Sequence, residues 1–343
     1  MTPPLLPTCG LTTGNDTNPY LYEMDTAALH TYLHALTHLK RAPTRYGTAP
    51  HKPVLVLTLM ELVEKGTVIA NRFEANAELV GTFLENWQLL VTTPHQADFT
   101  QPFYYLQSDK ADGEPFWHLQ AKPGSQINSY IKSVNTLAEV LDYGEFRTDL
   151  FALLQNSVSC TILQTALLDT YFPEQKAYFL AAKHSGEGYL HDVEAYILQE
   201  PEAQYKTIRI DTEEDVFVRN RLFKRHILRL YQSTCAFTGM RLVSRHDHSF
   251  VDACHIVPFS VSHDDRIGNG IALCPNMHRA FDRGLLSVDE DYRIIVSPHF
   301  TEDEAHDYSL RKLQNKRING PRSAEYLPQP DKLTWHREHI FKR

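Results

Sequence analysis

The sequence predicts an α+β protein in two parts, a mixed helical and β-hairpin domain followed by a smaller strand–strand–helix unit with a tail. Three observations predict it. Between residues 25 and 173 apolar residues recur at helical spacing, interrupted by an aromatic-rich segment around Asp109-Lys-Ala-Asp-Gly113 that is punctuated like a strand–turn–strand. Ser249-Phe-Val-Asp-Ala-Cys-His-Ile-Val alternates like a strand and stops at Pro258, whose ring forbids further ladder bonding. Pro275 and Gly284 bracket a short helix, proline suiting the first turn and glycine the position past the end.

Taken in order, residues 1–24 are rich in Pro, Thr, Asn and Gly and form a flexible lead-in. Asp25 is placed to cap an amphipathic helix with apolar positions at 29, 33, 36 and 39, and His30, His34 and His38 lie on its solvated face. Pro53 starts and Gly66 ends a nearly all-apolar helix, the buried helix of the first domain. His51 and Lys52 stand at its amino end, where free N–H groups favour an anion; a docked phosphate and a plain cap are both open there. A second helix runs from Asn76 to about Leu90. Gln101-Pro-Phe-Tyr-Tyr-Leu-Gln-Ser and Pro115-Phe-Trp-His-Leu-Gln then read as paired strands, with aromatics alternately inward and available for stacking on a base. From Ser129 to Phe172 the pattern is helical, and 174–205 is a connector, helical in part.

The second part, residues 206–305, opens with a basic amphipathic helix over Asp215–Tyr231, in which Arg221, Lys224 and Arg225 are candidates for phosphate contact or for a plain exposed face. Cys235-Ala-Phe-Thr-Gly239 turns the chain into a hairpin, with His246 and His248 at its tip as further ligand candidates. A final strand covers Tyr292–Pro298, and a basic extension follows over 306–343.

Composition narrows the class. At 42% hydrophobic and 22% charged residues the 343-residue chain is globular rather than disordered. No apolar run reaches membrane-spanning length, and the amino terminus lacks the basic and apolar regions of a signal peptide, so a cytoplasmic protein is expected. Five cysteines without close pairing fit a reducing compartment, and Cys254 and Cys274 read as small buried apolar residues. The net charge of −8 is unevenly spread: residues 1–205 carry 12 basic and 23 acidic side chains, residues 206–343 carry 22 and 19. The mildly basic second part implies weak non-specific affinity for a polyanion, with recognition supplied elsewhere in the chain.

The chemistry concentrates between residues 252 and 284. His255, at a strand end, Asn269, in the loop, and His278, on the helix, are spaced by 14 and 9 residues. Asn269 tolerates left-handed dihedrals and can bond neighbouring backbone with its amide, pinning a loop beside a reactive histidine. His278 and Asp282 are four apart, so they share one helix face and can share one divalent cation. A free imidazole beside a cation is what phosphodiester hydrolysis requires, one group taking the proton of water and the other stabilising charge on phosphorus oxygens.

These phrases, His255-Ile-Val-Pro, Asn269-Gly-Ile-Ala-Leu-Cys and His278-Arg-Ala-Phe-Asp-Arg-Gly, resemble the HNH endonuclease motif of the ββα-metal nucleases from about Cys235 to about Asp289. The resemblance implies that His255 is the general base, Asn269 the loop organiser and His278 a metal ligand, with one divalent ion (Mg2+, Mn2+, Co2+ or Ni2+) as cofactor. Many members carry an Asp or His ligand just before the base; here Cys254 stands there, leaving Asp282 or Asp252 as the second ligand. The paired Cys-x-x-Cys motifs of many members are absent from the chain.

A second resemblance covers about residues 25–175. Ala49-Pro-His-Lys-Pro-Val-Leu, then Gln101-Pro-Phe-Tyr-Tyr-Leu and Phe116-Trp-His-Leu, resemble the DNA sulfur-binding domain that precedes HNH modules in modification-dependent (type IV) restriction endonucleases. It implies a shallow apolar cup for the sulfur of a phosphorothioate, here Pro102, Phe103 and Tyr105, supported by His51 and Lys52. Lys52 and Gln101 stand where that family favours Arg and Tyr. Non-bridging sulfur is larger and less strongly hydrated than oxygen, so apolar contact costs it less desolvation.

The expected protein is therefore a DNA endonuclease with residues 25–173 as a DNA-recognition domain and 206–305 as an HNH nuclease. Its expected partner is double-stranded, modified DNA, with no membrane partner and a homodimer left open. Two other readings stay open: a defence nuclease that reads unmodified sequence or another modification, and a non-catalytic DNA-binding protein with a decayed motif.

Overall fold

The computed structural model describes residues 26–129, 131–185, 188–198, 212–243, 249–303 and 308–343. The lead-in, Asp25, residues 186, 187 and 199–205 of the connector, His246 and His248 lie outside the described residues. The architecture is mixed helix and strand, and the strands form small two-stranded sheets. Among the described residues no single helix is long and apolar enough to cross a membrane.

In the amino-terminal part α1 (Thr26–Thr37), α2 (His51–Glu64) and α3 (Ala77–Leu90) come first. Residues Lys52–Val63 of α2 are all buried, as a helix apolar on every side must be, and α1, α3 and α7 (Ser157–Tyr171) pack around it or one another. Asn76 caps α3, its side chain accepting from Leu79 N at 2.9 Å. Asn156 separates α6 (Thr148–Gln155) from α7 in the same way, bonding the N–H groups of Val158 and Ser159.

Two sequence expectations are corrected here. Residues 101–108, expected as a strand, form α4 (Thr100–Tyr105) and a 3-10 turn. The Asp98 carboxylate accepts from Gln101 N and Thr100 Oγ1, both at 3.0 Å, and so satisfies donors at the start of that helix, where Pro102 is tolerated. The other expected strand forms as β1 (Trp117–Ala121), but its antiparallel partner is β2 (Leu141–Phe146), a stretch expected to continue the helix α5 (Val134–Val140). Burial of alternate aromatics decides it: Trp117 and Phe146 face each other in register, ring centroids 5.0 Å apart, inside a cluster with Phe73, Phe99 and Phe103.

After α8 (Lys176–Ser185) and α9 (Tyr189–Leu198), helix α10 (Glu213–Leu230) opens with a reciprocal cap between Thr212 and Asp215. One side of α10 packs on α3; the other packs on the hairpin of β3 (Asp252–His255) and β4 (Gly270–Leu273). Gly270 makes that approach feasible, because an added Cβ would sit 2.3 Å from Ile227 Cδ1. Helix α11 (Pro275–Asp282) follows, and the chain leaves it through Gly284 at φ +73°. A Cβ on Gly284 would also strike the Ile340 carbonyl, because the tail returns against it. Strands β5 (Leu286–Val288) and β6 (Ile294–Val296) and helix α12 (Pro330–His339) complete the unit.

Phe103 is fully buried whereas Tyr105 is 42% exposed. Phe103→Ala should therefore cost about 3–5 kcal/mol, and Tyr105→Ala about 0.5 kcal/mol, in urea unfolding followed by circular dichroism; equal losses would contradict this packing.

Candidate active site

The hairpin β3–β4 and helix α11 form the strand–strand–helix unit expected from the sequence, with His255 opposite Gly270 at the end of the ladder. A cleft of about 750 Å³ opens beside it, lined by Asp252, His255, His278 and Asp282 and, from α10, by Asn220 and Lys224. The base candidate and the ligand candidates thus share one cleft.

His255 is held on three sides. Its ring stacks flat on Phe223 of α10, 4.0 Å between centroids at 7°, with Phe259 at 5.9 Å. Its Nε2 lies 2.9 Å from Oδ1 of Asp265, a carboxylate that is only 1% exposed. The other Asp265 oxygen is 3.2 Å from Nε of buried Arg219, close enough for an ion pair although the N–H is not aligned for a hydrogen bond. Asp265 and Arg219 were not singled out for the site by the sequence. The Asp264-Asp265 pair between His255 and Asn269 was the available signal, but spacing does not tell which carboxylate turns inward.

Asn269 is fully buried, and its amide makes three bonds: Oδ1 accepts from Val257 N at 2.8 Å, and Nδ2 donates to the carbonyls of Val257 and Asp264 at 3.0 and 2.9 Å. The loop between them is clamped from outside as well. Burial alone would raise the Asp264 carboxyl, but bonds from Arg266 and from Lys332 of α12 outweigh it and hold the group at about 2.

His278 projects from α11 between two carboxylates, Nδ1 3.2 Å from Asp252 and Nε2 3.3 Å from Asp282. A neutral imidazole has one N–H, so one of these contacts sets a ring lone pair against carboxylate oxygen unless a positive charge lies there. Among the described residues no three ligand side chains are gathered around a single ion-sized point. The donor chemistry nevertheless fits a divalent cation: two half-exposed carboxylates and an imidazole, all with side chains at the mouth of the cleft, suit Mg2+, Mn2+, Co2+ or Ni2+.

The DNA-contact candidates divide. Lys224 lines the cleft, whereas Arg221 is exposed over the Phe217 ring and does not line it. Arg225, expected on phosphate, instead bridges Glu78 of α3 and Glu194 of α9, because those carboxylates meet it across the helix packing. In the amino-terminal part, His51, Lys52, Pro102 and Tyr105 do surround one cavity of about 520 Å³, with Lys40 and Arg41 added by the segment after α1. Phe103 is excluded from it by burial, and the Lys52 ammonium is already neutralised by Asp109 at 2.5 Å. His51 leans on Trp87, and burial lowers its basicity.

Residues 235–289 match the family model of the HNH endonucleases, so the strand–strand–helix unit is an HNH endonuclease domain. A curated relative is the type IV methyl-directed restriction enzyme EcoKMcrA of Escherichia coli (strain K12), 29% identical over 84 residues, or 24% of this chain. The matched stretch spans 30% of that relative's length. Among solved structures the modification dependent TagI restriction endonuclease aligns over 34% of this chain and 37% of its own, at 21% identity and a TM-score of 0.26.

Helix α11 also packs against α12, whose His336 lines the same cleft, as does Ile340 just past its end. His336 stacks on Phe281 at 3.7 Å, and its Nδ1 lies 2.9 Å from Ser287 Oγ. Burial pushes its imidazole down to about 4, although the Phe281 carbonyl works the other way. The unfolded chain gains this proton near pH 6.5 and the folded chain only near pH 4, so the contribution is complete above about 6.5 and is lost as pH falls toward 4. Thermal unfolding from pH 7 to 4.5 should therefore lose stability more steeply in the native chain than in His336→Gln, by about 1.4 kcal/mol per pH unit; parallel curves would contradict it.

Proposed function

We propose that this chain is a metal-dependent DNA endonuclease whose HNH domain cuts and whose amino-terminal part recognises modified DNA, a restriction enzyme of the modification-dependent kind. The observation that carries the cutting half is the shared cleft, where His255 and the Asp252–His278–Asp282 group face one space wide enough for a backbone phosphate.

In this reading Lys224 draws the phosphate into the cleft by charge. His255 takes a proton from water, whose oxygen forms the new bond to phosphorus while the bond to the leaving 3′ oxygen breaks and that oxygen is protonated from solvent. Asn269 keeps the loop closed so that His255 stays at the strand end. Asp252, His278 and Asp282 would hold the divalent ion. When bound, that ion supplies Lewis-acid stabilisation of charge on the phosphate and leaving oxygens.

For recognition, the 520 Å³ cavity offers apolar surface from Pro102 and Tyr105 beside the cations of Lys40 and Arg41. That pairing suits a phosphate bearing one weakly hydrated atom, which supports a phosphorothioate linkage as the mark. The relative's methyl-directed action supports a modified target more generally.

Cleavage of modified and unmodified plasmids across Mg2+, Mn2+, Co2+ and Ni2+ tests the cutting half. His255→Ala should lower the rate at least about a hundredfold while leaving the dissociation constant for the same DNA within twofold; wild-type chain that cuts no substrate with any of the ions would instead support a binding protein with a decayed motif. For recognition, matched duplexes with and without a single phosphorothioate should differ in affinity, and Tyr105→Ala should reduce that difference. Equal affinity for the two duplexes would remove the sulfur reading and leave another modification or an unmodified sequence as the mark.

A further inference from the structure

We propose that Asp265 is a positioning residue for His255: anchored by Arg219 of α10, its carboxylate fixes the imidazole as the Nε2–H tautomer and leaves Nδ1 as the proton-accepting nitrogen. The inference rests on the nuclease reading above, and extends it from the hairpin to a helix outside the 235–289 match.

The tautomer follows from donor arithmetic. An ionised carboxylate only accepts, so a ring nitrogen 2.9 Å from Asp265 Oδ1 must carry the hydrogen. The neutral ring has a single hydrogen, and its lone pair is then on Nδ1. Asp265 is 1% exposed, and a buried carboxylate is sustained by partners rather than by water. Its partners are Arg219, itself 2% exposed and charged at any working pH, and His255. When Nδ1 takes the proton of the attacking water, the ring becomes an imidazolium whose new charge faces that carboxylate. No proton passes to Asp265.

The orientation is equally constrained. Phe223 lies flat against one face of the ring, so tilting the imidazole would break the stack, while a half-turn about the Cβ–Cγ bond, which keeps the ring in plane, would take Nε2 off Asp265. Asp265 in turn follows Asp264, whose carbonyl is held by Asn269 and whose side chain is held by Arg266 and Lys332. Helix α10 thus supplies Phe223, which fixes the imidazole directly, and Arg219, which fixes it through Asp265.

The test uses full-length chain and three readouts: the imidazole 15N spectrum, with the His255 signals assigned by their loss in His255→Gln; single-turnover cleavage of a short linear duplex with Mn2+; and the dissociation constant for that duplex in EDTA. The native spectrum should show one Nε2–H tautomer. Asp265→Asn, which keeps the shape but can offer an N–H, should disturb that signature and slow cleavage about a hundredfold, with affinity within twofold and with Asp265→Glu recovering part of the rate. A native Nδ1–H signature, or Asp265→Asn cutting within threefold of wild type, would overturn the proposal. Should Asp265→Asn fail to fold, Arg219→Lys is predicted to slow cleavage about tenfold, and an unchanged rate there would count against it equally. Wild-type chain that cuts nothing would remove the nuclease reading, while the spectrum would still decide whether Asp265 sets the tautomer.

Discussion

The buried amide of Asn269 is the constraint on which the carboxyl-terminal unit depends. It sits at the turn between the strands and uses both of its N–H donors and its carbonyl oxygen on backbone, two bonds to Val257 just past the end of one strand and one to Asp264 across the loop. Removing the amide would strand backbone groups in a dry setting at about 1–3 kcal/mol each. The loop would then be held only from outside, through Lys332 on Asp264 and Arg219 on Asp265, and the placement of Asp265 on the imidazole of His255 would loosen. A single polar side chain thus converts a floppy connection into the wall of a cleft.

Helix α10 is the second organising feature, because it serves both halves of the chain. Through Tyr189 bonding Asp215, and through Arg225, it is fastened to the amino-terminal helices. Through Phe223, Lys224 and Arg219 it contributes a face, a cation and an anchor to the cleft. Buried apolar side chains run without a break from the amino-terminal helices across α10 into the hairpin. The carboxyl-terminal helix closes the opposite side, with Lys332 on Asp264 and His336 beneath Phe281.

Much of this was legible before the structure. The extents of α2 and α3, the hairpin, and α11 with its bracketing Pro275 and Gly284 all followed from punctuation and periodicity, signals that act within a few residues. The failures have one cause. Residues 101–108 and 141–146 are ambiguous in local propensity, and the choice between helix and strand was made by partners far along the chain, Trp117 against Phe146 and Asp98 against the start of α4. The same holds in the cleft. The placement of His255, Asn269 and His278 around one strand–strand–helix unit follows from their spacing and flanking punctuation, whereas Arg219 and Asp265 are brought together by the docking of α10, and nothing in a one-dimensional pattern pairs residues that far apart. Phe103 and Arg225 show the converse: an aromatic and a cation that looked available to DNA are consumed by the protein itself.

The Arg225 bridge to Glu78 and Glu194 stands partly in solvent. Mobile counter-ions therefore act at the seam between the two halves of this protein, and on the nuclease reading proposed above they would act along bound DNA as well, with a screening length of about 8 Å at ordinary ionic strength. On that reading a fall in activity on adding salt would mix weaker grip on nucleic acid with a looser seam, and the slope of a salt titration would overstate the number of phosphates held unless Arg225 is first taken out of the balance.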